Sequence, residues 1–245
     1  ANKFCDLLHQ VTSDPDNVDK WVTLLTFTFA CFNIPGQRGG KRRVQSLTSK
    51  INQAINSFTT ANNLPPVQAP QKQTKSRSQS NNLAARVSSK LEDGDIRGAI
   101  RLAASDDTIA PFDDVTAEAL RTKHPARSLS TEPPPVPSGE KCLCLQESDI
   151  ISAIRSFAPG SAGGLDGLRP QHLKDLTCTS TGDAGVRLVT RLTQFTNMCL
   201  TGRVPPVVQP VFCGASLCAL NKKGGGIRPI AVGNTLRRLV AKAAC

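Results

Sequence analysis

The run Lys222-Lys223-Gly224-Gly225-Gly226, followed by Ile227-Arg228-Pro229-Ile230, is what most restricts the folding of this chain. Three consecutive glycines lose too much backbone freedom to sit inside a helix, yet they accept positive φ without steric cost, so the stretch predicts the tip of a β-hairpin. Val211 to Leu220 on the near side is a short apolar run. It predicts a buried strand, with Cys213, Ala215, Leu217 and Ala219 on one side and Phe212, Cys218 and Leu220 on the other. Ile227 to Val232 supplies the return strand, and Pro229, which lacks an N–H, predicts an edge position for it. Lys222, Lys223 and Arg228 then crowd round one turn. Mobile ammonium groups and a planar guanidinium beside unhindered glycine amides suit a phosphate with several oxygens. A solvated turn kept soluble by its charges has the same composition, and the hairpin alone does not separate the two.

Elsewhere the apolar residues recur at helical spacing. Phe4, Leu7, Leu8 and Val11 predict a first helix, and Asp16 or Asn17 can cap a second from Val18 to about Phe32. After the cationic, glycine-hinged stretch Gly36 to Arg43, a third helical face runs through Val44, Leu47, Ile51, Ile55 and Phe58. Residues 61–82, rich in Pro, Gln, Ser, Asn and Lys, predict a disordered linker. Leu83, Val87 and Leu91, then Asp93-Gly94-Asp95, then Ile96, Ile100 and Ala103 predict a helical hairpin with Asp95 as a cap, and a helix from Thr116 to Lys123 follows. The aspartates at 106, 107, 113 and 114 suit turns and caps better than a metal site. A stiff proline-rich linker, residues 125–141, leads to the last part of the chain. There, helices are predicted from Glu147 to Phe157 (capped near Ser148, with Ile150, Ile151 and Ile154 inward), from Pro170, and along Val186 to Cys199 up to Gly202. The glycine-rich loop at 160–167 lies between the first two, with Asp166 as a turn-former, and His172 on the next helix suits the surface or packing better than catalysis.

Charge is unevenly placed along the chain, whose formal net charge is +11. Lys20 to Leu91 carries eleven Lys or Arg and no acid, and Ala184 to Cys245 carries nine and no acid. The segment between them holds fifteen of the nineteen acids. Such acid-free basic stretches either attract phosphate backbones by counterion release or only keep their surfaces soluble; nucleic acid is favoured as the partner because the second stretch coincides with the motifs taken up below, and Arg38, Lys41, Arg42, Arg43, Arg237 and Arg238 are weaker candidate contacts. Arg42 and Arg43 also suit a nuclear-import signal. Nine cysteines without a Cys-x-x-Cys pair, and three scattered histidines, predict reduced thiols packed as small hydrophobes, with no metal site. The most apolar stretch, Trp21 to Phe32, is too short to span a bilayer, so an intracellular protein, nuclear or cytoplasmic and without a membrane partner, is expected.

Two of these motifs carry a resemblance. Ala219 to Val232, with Leu236-Arg237-Arg238-Leu239 and Lys242 behind it, resembles the fingers hairpin of reverse transcriptases, above all those of non-LTR-type animal retroelements. Pro159 to Leu168 resembles the Gly-x-Asp-Gly element that precedes that hairpin in the same polymerases. The resemblance covers roughly Leu145 to Cys245 and implies a right-hand polymerase whose hairpin grips a deoxynucleoside triphosphate, through Arg228 and either Lys222 or Lys223. Leu236 to Lys242 would be the helix behind it, capped by Asn234 or Thr235. Residues 1–60 are similar to upstream regions of some retroelement polyproteins, without an implied chemistry.

The family's two Mg²⁺ ions need paired carboxylates from a downstream Asp strand and a Tyr-x-Asp-Asp turn. This chain has no Tyr, and no Asp or Glu follows Asp183. The expectation is therefore a fragment of an RNA-directed DNA polymerase: no catalytic residue and no metal or small-molecule cofactor of its own, inactive alone, with RNA or DNA, deoxynucleoside triphosphates and Mg²⁺ belonging to the full-length parent. The alternative is a non-catalytic helical interaction or nucleic-acid-binding protein derived from a retroelement. The expected fold class is α+β and predominantly helical: partial polymerase fingers (142–245) preceded by a basic helical region (1–60), a linker (61–82), a helical hairpin region (83–124) and the proline-rich linker (125–141).

Overall fold

A computed structural model describes residues 1–32, 47–58, 79–92, 94–104, 108–124, 143–222 and 224–245. The expected proline-rich linker, most of the 61–82 linker, the Asp106-Asp107 pair and the candidate contacts Arg38, Lys41, Arg42, Arg43 and Lys223 lie outside the described residues.

The described chain is mostly helical, with one small antiparallel sheet, as an α+β reading requires. Helices α1 (Asn2–Ser13) and α2 (Val18–Phe32) fall where the apolar spacing puts them, and the Lys20 amide donates to the Asn17 side chain at the start of α2. α3 is Leu47–Ser57. α4 (Gln79–Glu92) begins inside the stretch expected to be linker, since Gln79 to Asn82 are already helical; glutamine is an ordinary helix former, and a first turn needs no apolar partner. α5 (Ile96–Ala104) is capped as expected, the Asp95 carboxylate accepting from the Gly98 amide at 2.9 Å. In α6 (Asp114–Lys123) Asp113 is the cap, accepting from the Thr116 amide at 2.8 Å.

α7 (Glu147–Ser156) is capped by Gln146 rather than at Ser148, and the Asp149 carboxylate reaches back to the Gln146 amide at 2.7 Å. Ile150 and Ile154 point into the core, whereas Ile151 is only half-buried. α8 (Pro170–Leu176) starts on proline, and α9 (Asp183–Leu200) is the longest helix described. His172 packs, its ring stacked on Phe32 with centroids 5.0 Å apart.

The run from Val211 to Leu220 departs from expectation. Its first residues belong to a short helix, α10 (Gln209–Phe212), and only Ala215–Asn221 forms strand β1. Most of β1 is exposed, and Ala219 alone is buried along it. Pro210 at the start of α10 favours a helical turn over a strand, and Phe212 is drawn into the main core from that helix. β2 (Ile227–Gly233) pairs with β1 so that Ala215 faces Gly233 and Asn221 faces Ile227. The short segment at Thr108 to Ala110 joins the other edge of β1, the Ala110 amide donating to Ala219 O at 2.9 Å. Pro229 therefore sits on an outer strand, as predicted. α11 (Thr235–Ala243) follows at once, with Asn234 as its cap accepting from the Leu236 amide at 2.9 Å.

A single apolar cluster joins α1 and α2 to α7, α8, α9 and α11, so residues far apart in sequence share one interior. Trp21 is at its centre, fully buried, 5.5 Å from the Phe195 ring and 5.4 Å from the Phe212 ring between centroids. Its indole N–H donates to Pro15 O at 2.8 Å, so the ring is buried with its own donor satisfied. Cys5 and Cys31 are buried there as small hydrophobes, but Cys144, Cys178, Cys213, Cys218 and Cys245 are exposed, against the expectation that the thiols are packed away. A second, small cluster of Ala110, Ala219 and Ile227 packs one face of the sheet against Ala119 and Leu120 of α6. None of the described helices is long and apolar enough to cross a membrane.

Candidate functional site

The turn between β1 and β2 shows why glycine is required there. The Gly225 amide donates to Lys222 O at 3.1 Å and the Lys222 amide to Gly226 O at 3.0 Å. Gly225 and Gly226 close this loop at φ 88° and 76°, where a side chain would be strained. Lys222 and Arg228 are both exposed. Strand alternation and the pairing of Leu220 with Arg228 put these two residues on the face of the hairpin opposite the one that α6 covers, and Lys222 follows β1 directly at the turn.

The same face of the sheet contributes Leu220, but neither Lys222 nor Arg228, to the lining of a cleft of about 910 Å³ between the sheet, the end of α7 and the α4–α5 hairpin. Leu220 lines it from the sheet, Pro159 from the loop, and Arg86, Arg97 and Arg101 from the two helices. Arg86, Arg97 and Arg101 are exposed. Asp95 is the acid on this wall, and it is engaged: Lys90 pairs with it at 2.7 Å, and that hydrogen bond, with the Gly98 amide, holds the carboxyl below its ordinary value. A neighbouring cleft of about 520 Å³ continues past Arg86 and Lys90 to Ala162, Gly163 and Arg169. The surplus of positive charge in these clefts thus lies along the α4–α5 wall. Sequence reasoning missed this wall because Arg97 and Arg101 lie in the acidic part of the chain. Their spacing of four along α5, matched by Arg86 and Lys90 along α4, was the available signal.

The glycine-rich loop docks on the root of the hairpin. Arg238 Nη1 donates to Ala162 O at 2.6 Å, and the buried Thr235 hydroxyl donates to Leu168 O. Gly164 comes so close to the start of α11 that a Cβ there would lie 2.8 Å from Asn234 Cα. The two motifs singled out in sequence are therefore in direct contact. Arg238, a candidate nucleic-acid contact, is half-buried and occupied here: besides holding the loop it lies over the Phe157 ring, 5.3 Å from its centroid, and burial lowers its pKa. Arg237, its neighbour, is exposed.

Asp166 does not hold the loop in the way expected of a turn-former. It is 7% exposed, and neither carboxylate oxygen has a hydrogen-bond partner. The turn itself closes through the backbone, Gly167 N–H to Gly164 O at 3.1 Å. Burial is the largest influence on Asp166 and pushes its carboxyl above the ordinary value. Thr28, the Leu168 amide and Asn234 are near enough to oppose this in part without reaching hydrogen-bond geometry. The Thr28 hydroxyl donates to Leu25 O instead.

Among the described residues no group of three or more His, Cys, Asp or Glu is placed to share a metal ion. Comparison of the chain with protein-family models, with curated proteins and with solved structures finds no match.

Proposed function

We propose that this protein binds the phosphates of a nucleic acid or nucleotide through the hairpin turn at Lys222 and the strand face that carries Arg228, as the fingers of a retroelement reverse transcriptase would. The observation that supports this reading most is the cleft lined by Leu220 of the same strand face, whose opposite wall presents Arg86, Arg97 and Arg101. Several cations along the wall of an open groove attract a polyanion more strongly than the same charges on a flat surface, because the groove focuses their field. The contact between the glycine-rich loop and α11 adds support, since it gives the hairpin a fixed root from which to present its tip.

The parent activity would be RNA-templated DNA synthesis with Mg²⁺ and deoxynucleotides. The residues of this chain do not fit a two-metal site: no acid follows Asp183, and Asp166 is one carboxylate enclosed at the hairpin root. No chemical step is therefore assigned to them, and binding is the function proposed.

Fluorescence anisotropy with a labelled single-stranded RNA, and competition by deoxynucleoside triphosphate, tests the reading. Charge reversal at Lys222, Lys223 and Arg228 together is expected to weaken binding at least tenfold. It should also flatten the salt dependence, by roughly 0.7 in the logarithmic slope for each phosphate that the variant no longer neutralises. Unchanged binding would shift the chain to the rival class, a helical interaction protein.

A further inference from the structure

We infer that the cleft of about 520 Å³ between α4 and the glycine-rich loop is a binding site for an organic phosphate, separate from the hairpin tip, with Arg86, Lys90, Arg169 and the backbone amides of the loop receiving the phosphate group. Drug-sized ligands occupy pockets of roughly 300–1,000 Å³, so this cleft suits a ligand the size of a nucleotide.

Charge, close approach and open donors select the ligand. Arg86, Lys90 and Arg169 line the cleft together, and no Asp or Glu is among the described residues that line it. Asp95, which lies against Gly160, is already engaged by Lys90 and the Gly98 amide. Two of the cations are held at the loop itself. A Cβ on Gly160 would lie 3.2 Å from the Lys90 ammonium, and one on Gly163 would lie 3.2 Å from Arg169 Cγ, so the bare glycines let both side chains close on the backbone. The amides of Ala162 and Gly163 donate to no group among the described residues. Ala162 O accepts from Arg238 of α11, and because the peptide is trans the Gly163 N–H of the same peptide unit points away from α11, which contributes no residue to the cleft. Unengaged backbone amides beside cations receive an anion, and a guanidinium matches phosphate oxygens in pairs. Ala85, Leu102 and Ala162 add apolar surface, which favours a phosphate that carries an organic group.

The inference is independent of phosphate binding at the hairpin tip, and either stands if the other fails. The test titrates the intact chain with adenosine 5′-monophosphate and, in parallel, with adenosine, following the amide chemical shifts of Gly163 for the cleft and of Gly225 for the tip. Saturable shifts at Gly163, with the monophosphate binding at least tenfold tighter than adenosine, are expected. Ala85→Glu puts a carboxylate at an exposed position that lines this cleft and not the larger one, and should weaken the binding at least tenfold. Arg86→Gln should weaken it as well and serves if the first variant does not fold. Charge reversal at Lys222 and Arg228 separates the two sites, since the shifts at Gly163 should persist in that variant. A single-stranded oligonucleotide without a terminal phosphate identifies the source: tighter binding than the monophosphate at Gly163 assigns a strand, and binding no tighter assigns a free phosphate ester. Equal binding of monophosphate and adenosine, no shift at Gly163 with either phosphate ligand, loss of that shift on charge reversal at Lys222 and Arg228, or binding unchanged in both cleft variants would overturn the inference.

Discussion

At the scale of single residues, the carboxylates of this protein divide by the sign of their response to acid. Asp95 and Asp113 are held below the ordinary value, by Lys90 and by the Thr116 amide respectively, so what they contribute to stability is present above about pH 4 and lost as pH falls through their folded pKa. Asp166 works in the opposite sense. Its carboxyl is raised by burial, so the folded state binds its proton more tightly than the unfolded chain does. The stability it costs is felt at neutral pH and relieved as pH falls through the raised value. Asp166→Asn is accordingly expected to stabilise the free protein at pH 7 by on the order of 1 kcal/mol, with little effect near pH 4, as measured by urea denaturation at the two pH values. Equal effects at both would mean that the carboxyl is not perturbed. Sequence alone places Asp166 in a turn, but its burial depends on α2 and the root of the hairpin closing over it. The Asn234 cap was legible because its partner is two residues away in the chain.

At the scale of elements, the join between the glycine-rich loop and α11 is the contact most sensitive to one added carbon. Gly164→Ala would place its Cβ against the Asn234 backbone, which cannot move aside as a flexible side chain would. A loss of about 1–3 kcal/mol is expected. Hydrogen exchange should show faster exchange at the Leu236 amide and along the loop, with α1 unaffected; slower or unchanged exchange at the loop would contradict the docking. The elements themselves were readable where apolar spacing and local chemistry agreed: α1, α2 and α9 follow the 3.6-residue period, and the tip glycines mark the hairpin. The segment from Val211 to Leu220 was not, because a continuous apolar run has no period to decide between helix and strand. Only the tertiary pull on Phe212 separates α10 from β1. The arginine wall escaped notice for a related reason, since the approach of α4 and α5 to the sheet is not written in either helix.

At the scale of the whole molecule, the interior is continuous from Phe4 to Leu239 and unites parts of the chain that composition separates. α1 rests on α9, and α2 contributes Trp21, Leu24 and Phe27 to the same cluster. Truncating a core residue of α9 should therefore weaken the N-terminal helices as well. Leu192→Ala, at a position with no exposed surface, is expected to cost about 2–5 kcal/mol. Far-ultraviolet circular dichroism should show one transition at lower temperature, and a surviving separate transition from residues 1–32 would show two units instead.

The burial of Trp21 has an optical consequence. It is the only tryptophan of the chain and there is no tyrosine, so one indole, enclosed by Phe195 and Phe212, supplies the intrinsic near-ultraviolet fluorescence. The protein thus carries its own label at the junction of its N- and C-terminal parts, and a red shift in emission reports the opening of that junction without an added dye.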